Sequence, residues 1–248
     1  MKLRTSVSKT ETGKRFIKAL EKLSYRHSTW KIWVDFVDLT AISLSNTREI
    51  RDDIRIAREK KHKELFDSYD AEEQALFVEM LTCLMEEYVE NTAQDFLGSL
   101  YMELDFGNDC KGQFFTPWHI AELMARMNIS KDMDSELVEK GYISVCDSTC
   151  GSGVMLIAFA SVYKSFTEDY ADKVLFAGQD LDPVVAKMCY IQLCLIGAAG
   201  YVKIGNVFTE PITTCDIGED VWFTPKYFTS SWIEKIYNNK GVVQDGKR

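Results

Sequence analysis

The sequence predicts an α/β protein in which a helical N-terminal region precedes a sheet of parallel strands. Two observations support this class. Up to about residue 105, apolar residues recur every three or four positions, which is typical of amphipathic helices. From residue 142 onward, short apolar runs alternate with segments of helix length, which indicates a parallel, doubly wound sheet. We therefore expect a helical region (1–105), an α/β domain (106–228) and a polar C-terminal tail (229–248).

The helical region shows two apolar stripes. The shorter stripe is formed by Phe16, Leu20 and Leu23, and the longer one, within residues 74–88, by Phe77, Met80, Leu81, Leu84, Met85 and Tyr88. A basic segment, 48–63, has two interpretations. It either contacts DNA or, as we favour, forms a solvated helix face whose charges pair with one another.

In the α/β domain, the sequence predicts strands over 142–147, 173–180 and 201–206. The first is followed by a helix over 152–165. The second is followed by a helix over 184–197, which Asp182 caps and Pro183 starts. Polar residues end the three strands: Asp147, Asp180 and Asn206. Because ligands bind beyond the carboxyl ends of parallel strands, we expect these three side chains to line one site.

The turn after the first strand, 146-CDSTCGSG-153, is rich in glycine. Gly151 and Gly153 allow the backbone to approach a ligand, although a purely structural turn also explains them. A dinucleotide fold requires a small residue where Leu156 stands, which argues against a nicotinamide enzyme. Asp180 can accept hydrogen bonds from two ribose hydroxyls; capping a helix is its alternative role, which Asp182 fills better. Asn206 suits either an adenine edge or an ordinary turn.

A second feature precedes this turn, in 112-GQFFTPWHIAELMARM-127. We expect Thr116 to cap a helix and Pro117 to be its first residue. The helix then carries an apolar stripe of Ile120, Leu123, Met124 and Met127. The two phenylalanines before Thr116 either shape a ligand pocket or belong to the core.

Composition sets outer bounds. The 248 residues carry a net charge of −9 with a pI near 5.0, which lowers the expectation of tight, unaided DNA binding. Three histidines and seven cysteines without a C-x-x-C spacing predict reduced thiols and no metal site. With no apolar run of about 18 residues and no signal peptide at the N-terminus, we expect a cytoplasmic protein without a membrane span.

Taken together, GQFFTP, DSTCGSG, GQDLDP and GN resemble the motifs of adenine-N6 DNA methyltransferases, over roughly residues 95–228. The resemblance is closest to the modification subunits of type I restriction systems, and more narrowly to short methylase-like proteins of phages and mobile elements. It implies a Rossmann-like core that binds S-adenosylmethionine (SAM), with a truncated parallel sheet.

The resemblance also implies residue roles. Phe115 and Thr116 would contact the methionine end of SAM. Asp147, Gly151 and Gly153 would hold its amine and shape the turn. Asp180 would bind the ribose, Leu181 would pack on the adenine, and Asn206 would meet the adenine amine.

The family's catalytic tetrad is Asn or Asp, two prolines and an aromatic residue at the end of a fourth strand. Its oxygens accept the hydrogens of the target amine, and its aromatic ring stacks on the flipped base. This sequence lacks that tetrad, and 220-DVWFTPKYF-228 is the nearest match. We expect Thr224, Pro225 and Tyr227 to be catalytic, the alternative being an edge strand followed by a turn.

DNA is the expected partner. The sequence has no segment long enough for a target-recognition domain, so we expect a partner protein or a second copy to help bind DNA. The truncated sheet edge must also be covered by a partner, another copy or the N-terminal helices. Two functions stay open: adenine-N6 DNA methylation with a partner, or a catalytically silent SAM-binding protein with a regulatory, structural or anti-restriction role.

Overall fold

The computed structural model describes residues 9–106, 115–130, 132–167, 169–213 and 217–236. The N-terminal helices are α1 (Glu11–Leu23), α2 (Thr29–Asn46), α3 (Asp52–Phe66), α4 (Ala71–Glu90) and α5 (Phe96–Glu103). The following helices are α6 (Trp118–Asn128), α7 (Asp132–Lys140), α8 (Val154–Lys164), α9 (Tyr170–Lys173) and α10 (Pro183–Leu195). The strands are β1 (Ile143–Asp147), β2 (Val174–Asp180), β3 (Ala199–Ile204) and β4 (Val221–Phe223), and a 3-10 helix covers Pro225–Phe228.

The N-terminal helices form where the apolar periodicity predicts them. The residues of the shorter stripe in α1 are all buried, and most of the longer stripe in α4 is buried as well, although Met85 is about half exposed. α4 begins with a capping box in which Asp70 and Glu73 bond each other's backbone N–H groups. α1 packs on α4, and α2 packs on α10. The helical region therefore shares one apolar core with the α/β part of the chain.

The sheet has the order β1-β2-β3-β4, and its first three strands are parallel. The two helices that connect them, α8 and α10, contribute to the same apolar cluster on one face of the sheet. The α/β class is confirmed, but the connecting helices of the described residues do not alternate between faces as in a doubly wound sheet. The opposite face packs against Trp232, in the helical residues 230–236, whose indole N–H donates to the Ala171 carbonyl (2.9 Å). The rest of the predicted tail, 237–248, lies outside the described residues.

The fourth strand runs against prediction. β4 is antiparallel to β3, with Phe223 opposite Tyr201 and Val221 opposite Lys203. The sheet is therefore mixed, and the expectation of a wholly parallel sheet is wrong at this strand. The carboxyl end of β4 consequently lies where β3 begins, at the opposite edge from the carboxyl ends of β1 to β3.

Two arginines of the basic segment close the outer edge of β4. Arg51 donates to the carbonyls of Ile217, Gly218 and Val221. Arg58 donates to those of Glu219 and Val221 and lies 3.6 Å from the Trp222 ring centroid. Both guanidinium groups also pair with the buried carboxylate of Glu49. These two arginines therefore fit neither predicted interpretation, and the N-terminal helices cover this edge of the sheet.

Other charges in that segment do pair locally, as we expected. Arg55 contacts Asp52 and Glu59, and Lys60 contacts Glu64. This part of α3 is a solvated, self-paired helix face, and its ion pairs contribute little to stability.

Candidate functional site

The glycine turn joins β1 to α8 at the carboxyl edge of the sheet. Gly151 and Gly153 have φ angles of +52° and +93°, in the left-handed region that favours glycine. The turn is fastened to the end of β2 by two hydrogen bonds. The Cys150 N–H donates to the Gln179 carbonyl (2.8 Å), and the Gly151 N–H donates to Oδ2 of Asp180 (2.8 Å). The structure thus brings Gly151 and Asp180 together, as predicted.

Both glycines also have close neighbours. A Cβ on Gly151 would lie 3.0 Å from the ring of Phe115, and a Cβ on Gly153 would lie 2.7 Å from Sγ of Cys189. The Phe115 ring packs in turn against Tyr101, with ring centroids 5.2 Å apart. Phe115 therefore covers the turn. Its neighbour Phe114 in the GQFFTP motif lies outside the described residues.

Asp180 keeps hydrogen-bonding capacity on both of its carboxylate oxygens. Its Oδ1 accepts the Asp182 N–H (3.0 Å) and its Oδ2 accepts the Gly151 N–H. A carboxylate oxygen can accept two hydrogen bonds, so each oxygen keeps capacity for one more. Asp182 caps α10 by accepting the Val184 N–H (2.8 Å), which confirms the predicted cap. Next to Asp180, the side chain of Leu181 is 68% exposed and provides an apolar surface.

Asp147 lies at a cavity of about 550 Å³ between α6, β1 and α8. Thr116, Thr149 and Met155 also line it. Burial raises the pKa of the Asp147 carboxyl, and the charge of Asp180 raises it further, while a hydrogen bond from the Thr149 N–H (3.1 Å) lowers it. Two neighbouring carboxyl groups make this end of the sheet suitable for a cationic group.

The helix that follows Thr116 differs from prediction in two respects. Pro117 occupies the N-cap position of α6 without a side-chain cap, so Thr116 does not cap the helix and instead lines the cavity. The small residues Ala121 and Ala125 are buried, while the predicted apolar stripe faces outward with exposed fractions between 40% and 76% (Ile120, Leu123, Met124, Met127). α6 packs on α8 and presents an apolar face to the surroundings.

Asn206 follows β3, two residues after the strand ends. The Gly205 N–H donates to the Asp180 carbonyl (2.9 Å), which brings Asn206 to the same edge as Asp180. Its own side-chain oxygen accepts the Phe208 N–H (2.9 Å), the bond of a turn asparagine, and keeps capacity for a second bond. The buried side chain of Gln179 fastens this loop through the Gly205 carbonyl, the Glu210 carbonyl and the Ile212 N–H. This supporting glutamine was not predicted from the sequence.

The expected catalytic segment lies at the opposite edge of the sheet from the carboxyl ends of β1 to β3. The Thr224 hydroxyl is buried and accepts the Gly200 N–H (3.0 Å), while the Thr224 N–H donates to the Gly200 carbonyl (2.9 Å). Gly200 is near the start of β3, about 13 Å from its carboxyl end at roughly 3.3 Å per residue. Pro225 and Tyr227 belong to the 3-10 helix that follows. Thr224, Pro225 and Tyr227 do follow a fourth strand, as expected, but because that strand is antiparallel they lie at the opposite edge of the sheet from Asp147 and Asp180. The alternative of an edge strand followed by a turn describes this placement, and the catalytic role stays a prediction.

A buried polar cluster that the sequence reading also missed lies behind the glycine turn. Asp95 accepts hydrogen bonds from the Gly98 N–H (2.9 Å), the Ser152 hydroxyl (2.7 Å) and Nε2 of Gln192 (2.8 Å). Burial raises the pKa of the Asp95 carboxyl. The one signal in the sequence is Gln192, a polar residue in the otherwise apolar run 188-MCYIQLCL-195. Gln192 is fully buried, so its amide requires partners.

The described part of the chain offers neither a metal site nor a membrane-spanning helix. It contains no group of three or more His, Cys, Asp or Glu side chains placed to hold a metal ion. None of its helices combines the length and apolar character that crossing a bilayer requires.

Comparison with known proteins identifies the family to which this chain belongs. The model of the family described as "N-6 DNA Methylase" matches residues 93–247, more than half of the chain. The chain therefore belongs to the N-6 DNA methylase family, which confirms the resemblance carried by its motifs. Among curated proteins, it is similar to the type I restriction enzyme MpnII methylase subunit of Mycoplasma pneumoniae.

The two sequences are 28% identical over 163 residues, which is 63% of this chain and 26% of the relative. The chain thus spans about a quarter of the length of that curated relative. No solved structure matches the chain.

Proposed function

We propose that this chain binds SAM across the carboxyl ends of β1 and β2 and acts in adenine-N6 DNA methylation together with a second polypeptide. The observation that carries the proposal is the hydrogen bond from the Gly151 N–H to Asp180, beneath the ring of Phe115. A glycine turn fastened to a strand-end carboxylate is suited to hold a nucleoside. Membership of the N-6 DNA methylase family supports SAM as that nucleoside.

The residues at this edge fit the parts of SAM. Asp180 keeps hydrogen-bonding capacity for the two ribose hydroxyls, and the exposed Leu181 offers a surface for the adenine ring. Asn206 keeps capacity to accept a bond from the adenine amine. Asp147, together with Thr116, lines a cavity suited to the cationic methionine end. When bound, SAM supplies a methyl group on a positively charged sulfur.

Methyl transfer to adenine also needs an acceptor for the hydrogens of the target amine. Thr224 and Tyr227 lie at the far edge of the sheet from Asp147 and Asp180, which argues against either of them as that acceptor. We therefore propose that a partner protein or a second copy provides it beside Asp147. Among the described residues no strand lies beyond β1, where Ser144 and Cys146 are exposed. A strand added to this edge would end next to the cavity and would be flanked by the apolar face of α6.

The second candidate is SAM binding without methyl transfer, in a regulatory, structural or anti-restriction role. The observation that favours it is the distant placement of Thr224 and Tyr227. Both candidates share the cofactor site and differ in turnover.

The test measures binding and transfer on one preparation. SAM is titrated by calorimetry against the wild-type chain, Asp180→Ala and the control Asp169→Ala. The control removes an exposed carboxylate that makes no side-chain cap bond. We expect at least tenfold weaker binding for Asp180→Ala, because it removes two acceptors of charge-assisted hydrogen bonds, and unchanged binding for the control.

Transfer of a labelled methyl group from SAM to unmethylated DNA is then measured with and without lysate from the source cells. Label on adenine that needs the lysate supports the methyltransferase with a partner. Binding without label under both conditions favours the silent protein. Failure of the wild-type chain to bind SAM would overturn both candidates.

A further inference from the structure

The glycine turn is held from inside the protein as well as from the ligand side. Ser152 stands between Gly151 and Gly153 and is fully buried. Its hydroxyl donates to Oδ2 of Asp95 (2.7 Å), and its carbonyl accepts Nε2 of Gln192 (2.7 Å). The hydroxyl and the carbonyl of this residue are thus both fixed by side chains from elsewhere in the chain, the N-cap of α5 and α10.

The amide of Gln192 is itself fully bonded. Oε1 of Gln192 accepts the hydroxyl of Tyr88 and the N–H of Leu97 (3.0 Å), while its Nε2 bridges Asp95 and Ser152. The cluster therefore connects α4, the start of α5, α10 and the turn. Buried networks of this kind hold a single geometry, because every alternative leaves a polar group without a partner.

Gly98 shows how tightly the cluster is packed. A Cβ at this position would lie 2.1 Å from Oδ2 of Asp95 and 2.4 Å from the Ser152 hydroxyl. The hydrogen bond between Asp95 and Ser152 therefore passes directly over a helical glycine of α5. Position 98 therefore accommodates this hydrogen bond only when it is a glycine.

We propose that Asp95 and Gln192 are positioning residues for the cofactor turn: by fixing Ser152, they hold the Gly151 N–H on Asp180 and so orient the carboxylate for the ribose. The proposal rests on SAM being the ligand. It deepens that function by making the N-terminal helical region a working part of the cofactor site. Neither Asp95 nor Gln192 contacts the proposed ligand; both act through Ser152.

The central variant is Ser152→Ala, which deletes one hydroxyl and leaves the backbone of the turn unchanged in sequence. We expect SAM to bind about tenfold more weakly, because a buried Asp95 oxygen loses its partner and the turn loses one of the two bonds that hold Ser152. The matched control is Tyr170→Phe, which deletes another buried hydroxyl, the one that donates to the Ile196 carbonyl. This control lies away from the turn and should bind SAM like the wild-type chain.

Two variants of Asp95 provide the rescue test. Asp95→Asn keeps an oxygen for Gly98 and Gln192, and its NH₂ group can donate to the Ser152 hydroxyl, so the network persists with one bond reversed. Asp95→Ala removes all three bonds. We expect binding within about threefold of wild type for the asparagine and a loss of tenfold or more for the alanine.

Hydrogen exchange of the Gly151 amide gives a readout that does not depend on SAM. In the unliganded protein, this amide should exchange faster in Ser152→Ala and Asp95→Ala than in wild type, and unchanged in Tyr170→Phe. Equal protection of Gly151 in all four proteins would overturn the positioning role whether or not SAM binds. If Ser152→Ala binds SAM as the wild-type chain does, the role is likewise overturned while the proposed function stands. If the wild-type chain does not bind SAM, both fail together.

Discussion

Gly153→Ala tests whether the glycine turn is held by shape as well as by hydrogen bonds. At φ = +93° an alanine is in the left-handed region, which costs about 1–2 kcal/mol. Its Cβ would also lie 2.7 Å from Sγ and 3.2 Å from Cα of Cys189. Relieving that overlap adds about 1–3 kcal/mol. Alanine also lowers the conformational entropy of the unfolded chain, which offsets about 0.4–1 kcal/mol of this destabilisation. We therefore expect a net destabilisation of about 3 kcal/mol.

Gly197→Ala is the matched control. Gly197 has φ = +70°, but no atom lies within 4 Å of a Cβ built there, so only the conformational cost applies. We expect about 1 kcal/mol for Gly197→Ala, and hence a difference of about 2 kcal/mol between the two variants. The double variant Gly153→Ala/Cys189→Ala, measured against Cys189→Ala alone, should recover part of that difference because it removes the sulfur.

The assay is urea unfolding followed by tryptophan fluorescence, with the SAM dissociation constant measured on the same preparations. If Gly153→Ala is no less stable than Gly197→Ala, the contact with Cys189 does not constrain the turn, and the reasoning from shape is refuted. Weaker SAM binding by Gly153→Ala at unchanged stability would assign the effect to the site alone.

Three further predictions concern the supports of the site. Gly98→Ala should destabilise the protein by about 2–4 kcal/mol in urea unfolding, because its Cβ would displace the Asp95–Ser152 hydrogen bond; wild-type stability would contradict the tight packing of the cluster. Arg58→Met should destabilise the protein by about 3 kcal/mol in the same assay, because it removes one partner of a buried ion pair. Burial lowers the pKa of Arg58 to about 10, so the group is charged at pH 7. A loss below about 1 kcal/mol would contradict its role at β4. SAM affinity should fall in acid as Asp147 protonates, beginning at a higher pH than an unperturbed aspartate would give because its pKa is raised. Calorimetry across pH should show that the fall begins at a lower pH in Asp147→Asn, and an unchanged onset would contradict the role of Asp147.

The sequence could predict the parts of this fold that depend on local pattern. The strands β1 and β2, the helices beside them and the cap at Asp182 follow from periodicity and from the residues at each boundary. The meeting of Gly151 with Asp180 follows from parallel strands having their carboxyl ends at one edge.

The direction of β4 could not be predicted in this way. Three apolar residues carry no signal for parallel or antiparallel pairing, and this strand is held by Arg51 and Arg58, more than 150 positions earlier in the chain. The same limit applies to α6. Its apolar period is correct, but burial follows the small side chains of Ala121 and Ala125, which allow close approach to α8. The cluster around Asp95 could not be predicted, because a single buried acidic residue produces no periodic pattern in the sequence.

The two outer strands of the sheet, β1 and β4, differ in how their outward backbone groups are hydrogen-bonded. This difference bears on where a partner would bind. At β4, guanidinium groups satisfy the outward carbonyls of Val221 and Glu219, so another strand would first have to displace the partly buried Arg51 and the buried Arg58. At β1 the one comparable contact among the described residues is the Ser144 N–H donating to Glu136 (3.2 Å), and the side chain of Cys146 is exposed.

Exposed strand edges and outward apolar helix faces are both features that proteins usually cover. Here they occur together, beside the cavity that Asp147 lines. A partner strand placed at β1 would cover both the exposed strand edge and the apolar face of α6, and it would reach the methionine end of the proposed cofactor. A partner strand placed at β4 would cover neither. The search for a partner of this chain should therefore begin at β1, with charged substitutions at Leu123 and Met127 expected to abolish lysate-dependent methylation while SAM binding is unchanged. Loss of SAM binding in those variants would show instead that the apolar face of α6 supports the cofactor site itself.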